Sequence, residues 1–140
     1  MALRKAQAEW KGSLKEGSGV MKFPGYAGPY TWASRFEEAE GTNPESLLGA
    51  AHAGCYSMAL SSDLGKAGFS PTTIATEASV TLGRVEGKAR ITNIHLETRA
   101  TVPGISNEEF QRIAEGTRTG CPVSAALAAV EITLSAKLVN

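Results

Sequence analysis

Residues 41–68 have the sequence GTNPESLLGAAHAGCYSMALSSDLGKAG, which contains the clearest helix signal in the chain. Thr42 or Asn43 can cap this helix, and Pro44 suits its first position because a proline needs no hydrogen-bond acceptor there. Gly68 is a favourable stop, so the helix is predicted to end one or two residues before it. A long central helix is therefore the first element that the sequence predicts.

The apolar residues of this helix recur at alternating spacings of three and four, which is the pattern of a buried helix face. They are Leu48, Ala51, Cys55, Met58 and Ser62. We therefore expect Cys55 to point inward. Glycines inside a helix cost about 1 kcal/mol each relative to alanine, so Gly49 and Gly54 indicate close packing by another helix or another subunit.

The rest of the chain alternates between strand and helix patterns. Strands are predicted over residues 5–11, 14–20 and 30–36 before the central helix, with a turn at 12–13 and a loop over 23–29. Strands over 74–82 and 89–102 follow it, joined by a hairpin loop at 83–88. A helix beginning at Ser106, with Glu109 completing a capping box, is predicted to end at 119–120. A short helix over 122–129 and a strand over 130–139 complete the chain. This order predicts a single α+β domain spanning residues 1–140.

Composition excludes several classes of protein. The 140 residues contain 14 Lys and Arg against 14 Asp and Glu, so the net charge is zero. A neutral chain lacks the positive surface of a nucleic-acid or membrane-surface binder. No apolar run is long enough to span a membrane, and the N-terminus lacks a secretory signal. We therefore expect a cytoplasmic protein with no nucleic-acid or membrane partner, whose two cysteines are reduced rather than structural.

Each cysteine has a structural and a chemical interpretation. Cys55, within an apolar helix face, could be a small core residue, and a thiol there is unreactive without a nearby cation. Arg35, on the strand predicted over 30–36, could supply that cation, with Glu45 to hold it. Cys121 is followed by Pro122, so it lies where a helix begins and could simply be a buried cap residue. Backbone N–H groups there would lower the pKa of its thiol. From physical chemistry alone, Cys121 is the better-activated thiol.

A metal site is the weaker alternative. His52, Cys55, His95 and Cys121 would supply two histidines and two cysteines, which is the correct ligand count for zinc. Their spacing matches no zinc motif, however. We expect His52 at a helix surface or interface and His95 on the surface of a strand, with no metal and no cofactor bound.

Several segments resemble the OsmC/Ohr family of hydroperoxide-reducing proteins. The resemblance lies in residues 41–60, in the segment Gly-Cys-Pro-Val-Ser at 120–124, and in Arg-Phe-Glu at 35–37. Residues 67–71 and 102–105 also fit. The His-Ala-Gly-Cys and Cys-Pro-Val-Ser forms of the two cysteine motifs resemble the OsmC branch. The resemblance covers nearly the whole chain.

This resemblance implies a cysteine-based peroxidase that prefers organic hydroperoxides and reduces hydrogen peroxide more weakly. By residue, Cys55 matches the peroxidatic cysteine and Cys121 the resolving one. Arg35 matches the arginine that stabilises the thiolate, and Glu45 the carboxylate that holds the arginine. The family also implies antiparallel sheets around a central cysteine-bearing helix, an intertwined homodimer, and reduction by a lipoyl-type dithiol.

Two further expectations concern the site. Glu45 and Cys55 lie ten residues apart on one helix, about 15 Å along its axis, so Glu45 and Arg35 are predicted to serve the cysteines of the partner subunit. Apolar side chains are predicted to receive the alkyl part of the substrate, namely Met58, Phe69, Phe110 and Ile113. The alternative from another class is a non-catalytic dimer of the same fold that binds a small apolar ligand.

Overall fold

Six strands and four helices account for most of residues 1–140, all of which the computed structural model describes. The elements are β1 (Gln7–Lys11), β2 (Ser18–Phe23), β3 (Tyr26–Tyr30), α1 (Trp32–Phe36), α2 (Pro44–Lys66), β4 (Thr73–Val85), β5 (Lys88–Thr101), α3 (Asn107–Gly120), α4 (Pro122–Ala126) and β6 (Glu131–Leu138). None of the helices has the length and apolarity needed to cross a membrane. The α+β class is confirmed. The chain packs as two compact units, residues 1–47 and 48–140, and a single domain over 1–140 stays a prediction.

The first unit contains an antiparallel three-stranded sheet in the order β1-β2-β3. Gly19 of β2 lies between Trp10 and Tyr30 in the register, and the two aromatic rings pack with centroids 5.3 Å apart. A Cβ atom on Gly19 would come within 2.8 Å of both rings, so this position requires glycine. The second strand begins at residue 18 instead of 14. The segment predicted as a loop over 23–29 is a tight hairpin in which Gly25 has a φ of +89°.

The strand predicted over residues 30–36 is wrong, because most of that segment forms α1. Thr31 and Ser34 form a capping box: the side chain of each accepts a hydrogen bond from the backbone N–H of the other. This local pairing starts a helix that the apolar alternation of the sequence does not reveal. Arg35 therefore lies in the last turn of a short helix.

The central helix α2 forms as predicted, from Pro44 to Lys66, and Gly68 beyond its end has a φ of +91°. The predicted buried face is out of phase by one residue. The fully buried side chains are His52, Tyr56, Leu60 and Leu64, whereas Met58 is 77 % exposed. The prediction failed because small and apolar residues occupy both faces of α2, so hydropathy alone does not fix which face is buried.

The second unit contains the sheet β4-β5-β6. Strands β4 and β5 form a long antiparallel hairpin that turns at Glu86 and Gly87, both of which have positive φ. Strand β6 pairs with β5 in parallel, so the expectation of purely antiparallel sheets is wrong for this pair. The reason is the connection: α3 and α4 cross over between the two strands, which returns the chain in the same direction.

The core of the second unit lies between this sheet and the helices. Ile94, Leu96 and Ala100 lie on one face of β5, are buried, and pack in one cluster with residues of α2 and α3. Ser106 caps α3 by accepting a hydrogen bond from the N–H of Glu109, but the Glu109 side chain does not bond back to the Ser106 N–H, so only half of the predicted capping box forms. The helix ends at Gly120 as predicted. Helix α4 ends at Ala126, earlier than the predicted 129. The α3–α4 junction brings Cys121 to α2.

Candidate active site

The structure brings the two cysteines together. Cys55, in the middle of α2, and Cys121, at the α3–α4 junction, have sulfur atoms 2.9 Å apart, and both are free thiols. Cys121 has extended backbone geometry and separates the two helices. Its N–H caps the end of α3 by donating to the carbonyl of Thr117, and Pro122 opens α4 directly after it. The prediction that Cys121 lies where a helix begins is confirmed.

The surroundings of the two sulfurs favour different protonation states. Burial raises the pKa of the Cys55 thiol, and its hydrogen bond with Cys121 raises it further, against a smaller opposing effect of the Val123 backbone N–H. Burial also raises the pKa of Cys121, but hydrogen bonds from Cys55, Ser124 and Val123 outweigh this effect and place the pKa below its ordinary value. No cationic side chain of residues 48–140 lowers the pKa of either thiol. In this pair, therefore, Cys121 is the better-activated thiol.

Arg35 and Glu45 form the second constellation. The Arg35 Nη2 atom donates to Glu45 Oε1 at 2.8 Å, and its Nε atom lies 3.2 and 3.3 Å from the two carboxylate oxygens. The Glu45 side chain is 9 % exposed and the Arg35 side chain 36 % exposed. Because a carboxylate that accepts from both Nε and Nη2 fixes the plane of a guanidinium, Glu45 holds Arg35 in a single orientation. The predicted pairing of these two residues is confirmed.

A further polar pair was not expected from the sequence. His52 was predicted at a helix surface or interface, but it is fully buried, and its Nε2 atom lies 2.7 Å from the hydroxyl of Ser124. Its Nδ1 atom has no hydrogen-bond partner. Burial lowers the pKa of His52, so the imidazole is neutral near pH 7. The sequence contained a signal for this pair. His52 lies three residues before Cys55, and Ser124 lies three residues after Cys121, so each polar residue is one helical turn from a cysteine.

The four residues predicted to receive the substrate lie in different environments. Phe110 is fully buried and Ile113 nearly so, both within the core cluster, and Phe69 packs against that cluster. Met58 is exposed on α2. Substrate contact by any of the four stays a prediction. A separate cavity of about 450 Å³ lies over β4, β5 and β6, and none of the four lines it.

The arrangement of His, Cys, Asp and Glu side chains bears on the zinc alternative. Nowhere do three or more of these side chains converge in a way that could hold a metal ion. His52 bonds to Ser124, whereas His95 on β5 bonds through Nδ1 to the hydroxyl of Thr133 at 2.6 Å. The two histidines thus have separate partners and do not converge on the cysteines.

Comparison with known proteins identifies the family. Residues 37–135 match the family model described as OsmC-like protein. The chain is also 47 % identical over 138 residues to Peroxiredoxin OsmC of Escherichia coli, covering 96 % of each protein. The chain belongs to the OsmC family. The identity to this relative supports the OsmC branch of the OsmC/Ohr resemblance.

More distant relatives agree with this OsmC assignment. The organic hydroperoxide resistance protein of Xanthomonas axonopodis pv. citri is 30 % identical over 98 residues, which cover 69 % of this chain and 67 % of that protein. The crystal structure of an OsmC-like protein from Mycoplasma pneumoniae superposes with a TM-score of 0.76 at 16 % identity, covering 99 % of each chain. At this identity the second similarity establishes the OsmC fold alone.

Proposed function

We propose that this OsmC-family chain is a thiol-dependent peroxidase that reduces organic hydroperoxides, and hydrogen peroxide more weakly, to alcohols or water. One observation carries the proposal: two free thiols from distant parts of the sequence have sulfur atoms 2.9 Å apart. At this separation they can form a disulfide without a large movement of either helix. The name of the relative Peroxiredoxin OsmC supports the same chemistry.

In the proposed cycle the Cys55 thiolate attacks the terminal oxygen of the hydroperoxide. The O–O bond breaks, the alkoxide takes a proton and leaves as an alcohol, and Cys55 becomes a sulfenic acid. Cys121 then attacks the Cys55 sulfur, the S–O bond breaks, and water leaves as the disulfide forms. An external dithiol of the lipoyl type restores both thiols by exchange. Free thiols of this kind suit a reducing compartment, for which we propose the cytoplasm.

Activation of Cys55 needs a cation, because burial and the neighbouring thiol both raise its pKa. We assign this role to Arg35, which Glu45 holds in a fixed orientation. A guanidinium beside the sulfur would reverse the order of the two thiols and leave Cys55 as the thiolate. Direct titration of each thiol in the presence and absence of Arg35 tests this assignment.

We further propose that the protein is a homodimer in which the ion pair of one subunit serves the cysteines of the other. The support is the length of α2, since Glu45 and Cys55 are separated by ten residues, or about 15 Å, along one continuous helix. Coexpression of Cys55→Ser with Arg35→Met chains tests it. A heterodimer would contain one complete site and recover about half the wild-type activity. No recovery would show that each site is built from one chain.

Single-cysteine variants test the chemistry itself. Cys55→Ser is expected to abolish turnover of cumene hydroperoxide. Cys121→Ser is expected to consume one equivalent, leaving a sulfenic acid that a dimedone adduct reveals by mass spectrometry. Repeated turnover by Cys55→Ser would contradict the proposal. Unchanged thiols in the wild type after peroxide would instead favour a non-catalytic dimer that binds a small apolar ligand. Comparing dihydrolipoamide with glutathione as reductant tests the dithiol assignment.

A further inference from the structure

The outer face of the sheet β4-β5-β6 carries charged side chains that the proposed cycle does not use. This face points away from α2 and α3, because side chains alternate along a strand and the buried residues of β5, such as Leu96, lie on the other side. The cavity of about 450 Å³ over the three strands lies on it. Four of the residues that line this cavity are charged and exposed, namely Glu77, Glu97, Arg99 and Lys137.

The four charges are sorted by sign into two rows that run across the strands. Glu77 of β4 lies directly opposite Glu97 of β5, so that two carboxylates stand side by side as an acidic row. Arg99 of β5 lies directly opposite Lys137 of β6, so that two cations stand side by side as a basic row. The two rows are two strand residues apart, a distance of about 7 Å.

This sorting is unfavourable within one chain. Like charges directly opposite one another destabilise a sheet, whereas opposite charges there would stabilise it. None of the four side chains forms an ion pair with another of the four. The one basic neighbour is His95, whose Nε2 atom lies 4.0 Å from Glu97 Oε1 and which is charged only when protonated. A partner with the complementary pattern would compensate both rows.

The charge pattern of the outer face is complementary to itself. A two-fold axis that runs across the strands at the level of Thr98 would lay β5 of a second copy antiparallel over this β5. The partner's Arg99 would then lie over Glu97, and the partner's Glu97 over Arg99. Sheets that pack face to face lie about 10 Å apart, a gap that Glu and Arg side chains span when they extend from opposite sides.

The other positions of the two rows fit in shape as well as in charge. The same rotation places the partner's Glu77 over Ala75, a small residue at the level of the basic row. It places the partner's Lys137 over Ser135, a small residue at the level of the acidic row. Both small residues line the cavity and leave room there. Each long charged side chain thus meets either a charge of opposite sign or a small residue beside one.

We propose that the outer face of the sheet β4-β5-β6 is an interface for a second copy of this chain, in which the acidic row of each copy pairs with the basic row of the other. The same surface is used on both copies, so each contact closes with two faces. It is separate from the proposed homodimer, in which the subunits share the cysteine sites, and it does not depend on the peroxidase chemistry. Because the paired charges are exposed in the single chain, the contact is sensitive to salt.

Sedimentation velocity of the full-length, reduced protein measures this contact. We expect association at about 0.01 M salt, with an association constant that falls at least about tenfold at about 1 M salt. The reason is that the Debye length shortens from about 30 Å to about 3 Å over this range. A wild-type protein that shows no association at low salt, or association that salt does not weaken, would overturn the inference.

Reversal of one row at a time tests which charges form the contact. The acidic-row variant combines Glu77→Lys with Glu97→Lys, and the basic-row variant combines Arg99→Glu with Lys137→Glu. Each variant alone sets like charges against each other, so its association constant at low salt is expected to fall at least about a hundredfold. An equimolar mixture of the two variants restores opposite charges at every position and is expected to associate again.

A matched control separates this pattern from attraction between net charges. Glu16→Lys with Glu108→Lys makes the same change in net charge at two exposed positions outside the rows. In the mixture, this protein replaces the acidic-row variant, and no association with the basic-row variant is expected. The single changes Glu97→Lys and Arg99→Glu keep the test valid should a double variant fail to fold. Association of each row variant alone, or no association in their mixture, would contradict the proposed interface.

Discussion

The ion pair of Arg35 and Glu45 makes the sharpest prediction about stability and activity together. Glu45→Gln keeps the shape of the side chain and one acceptor oxygen, but it removes the charge and places an NH₂ group against the guanidinium. The carboxylate accepts from Nη2 at 2.8 Å and from Nε at 3.2 Å, and its side chain is only 9 % exposed. The perturbation therefore acts on charge-assisted hydrogen bonds in a largely dry location.

The magnitude follows from the exposure of the two partners. Hydrogen bonds to charged groups contribute about 1.5–3 kcal/mol each, and about half of this is lost when the acceptor becomes neutral, so the two donors Nη2 and Nε together lose about 1.5–3 kcal/mol. Because Arg35 is 36 % exposed, solvent screens part of the loss, which leaves about 1–2 kcal/mol of unfolding free energy. For a chain of 140 residues this corresponds to a Tm lower by roughly 3–8 °C. Differential scanning calorimetry measures it, with exposed Glu37→Gln as the matched control.

Activity is expected to fall further than stability. Under the proposed function, a guanidinium that is no longer held in one orientation stabilises the Cys55 thiolate less well. The kcat/KM for cumene hydroperoxide is then expected to drop by about 10–100-fold at a temperature where the variant is fully folded. A Glu45→Gln protein with the Tm and kcat/KM of Glu37→Gln would show that this ion pair neither stabilises the fold nor activates Cys55.

Two further predictions concern the second unit. Burial lowers the pKa of His52 from the ordinary histidine pKa of about 6.5. Below about pH 6.5 the unfolded chain therefore binds a proton at this residue that the folded chain does not bind. The free energy of unfolding consequently decreases as the pH drops through about 6.5. Urea unfolding at pH 7.5 and 5.5 should show a smaller acid loss in His52→Gln than in His95→Gln. Leu60→Ala should lower the free energy of unfolding by about 2–5 kcal/mol, because Leu60 is fully buried. Leu14→Ala should lower it by less than about 0.5 kcal/mol, because Leu14 is 64 % exposed. Denaturant unfolding measures both. Equal costs for the two leucines would contradict the assigned core.

Local signals made much of the fold predictable from sequence. The start of α2 at Pro44, its stop before Gly68 and the cap of α3 at Ser106 each depend on neighbouring residues, and all three were placed correctly. The helix α1 was missed because its signal is a single reciprocal pair, Thr31 and Ser34, in a segment that also alternates like a strand. Local chemistry prevailed over a short periodicity.

Features that depend on distant contacts were less accessible. The parallel pairing of β5 with β6 depends on how α3 and α4 cross over, which no local pattern encodes. The buried face of α2 was placed one residue out of phase because small residues surround the helix, and His52 was therefore assigned to the surface. The approach of Cys55 to Cys121 likewise joins positions 66 residues apart. Only the motif resemblance singled out that pair before the structure did.

Counting free thiols tests most directly whether Cys55 and Cys121 act together on a hydroperoxide. Reduced protein receives one equivalent of cumene hydroperoxide without air, and the remaining thiols are counted in the unfolded state. We expect the loss of both thiols per chain, with peptide mapping showing a Cys55–Cys121 disulfide. Two thiols remaining per chain, or a disulfide that joins other partners, would contradict it.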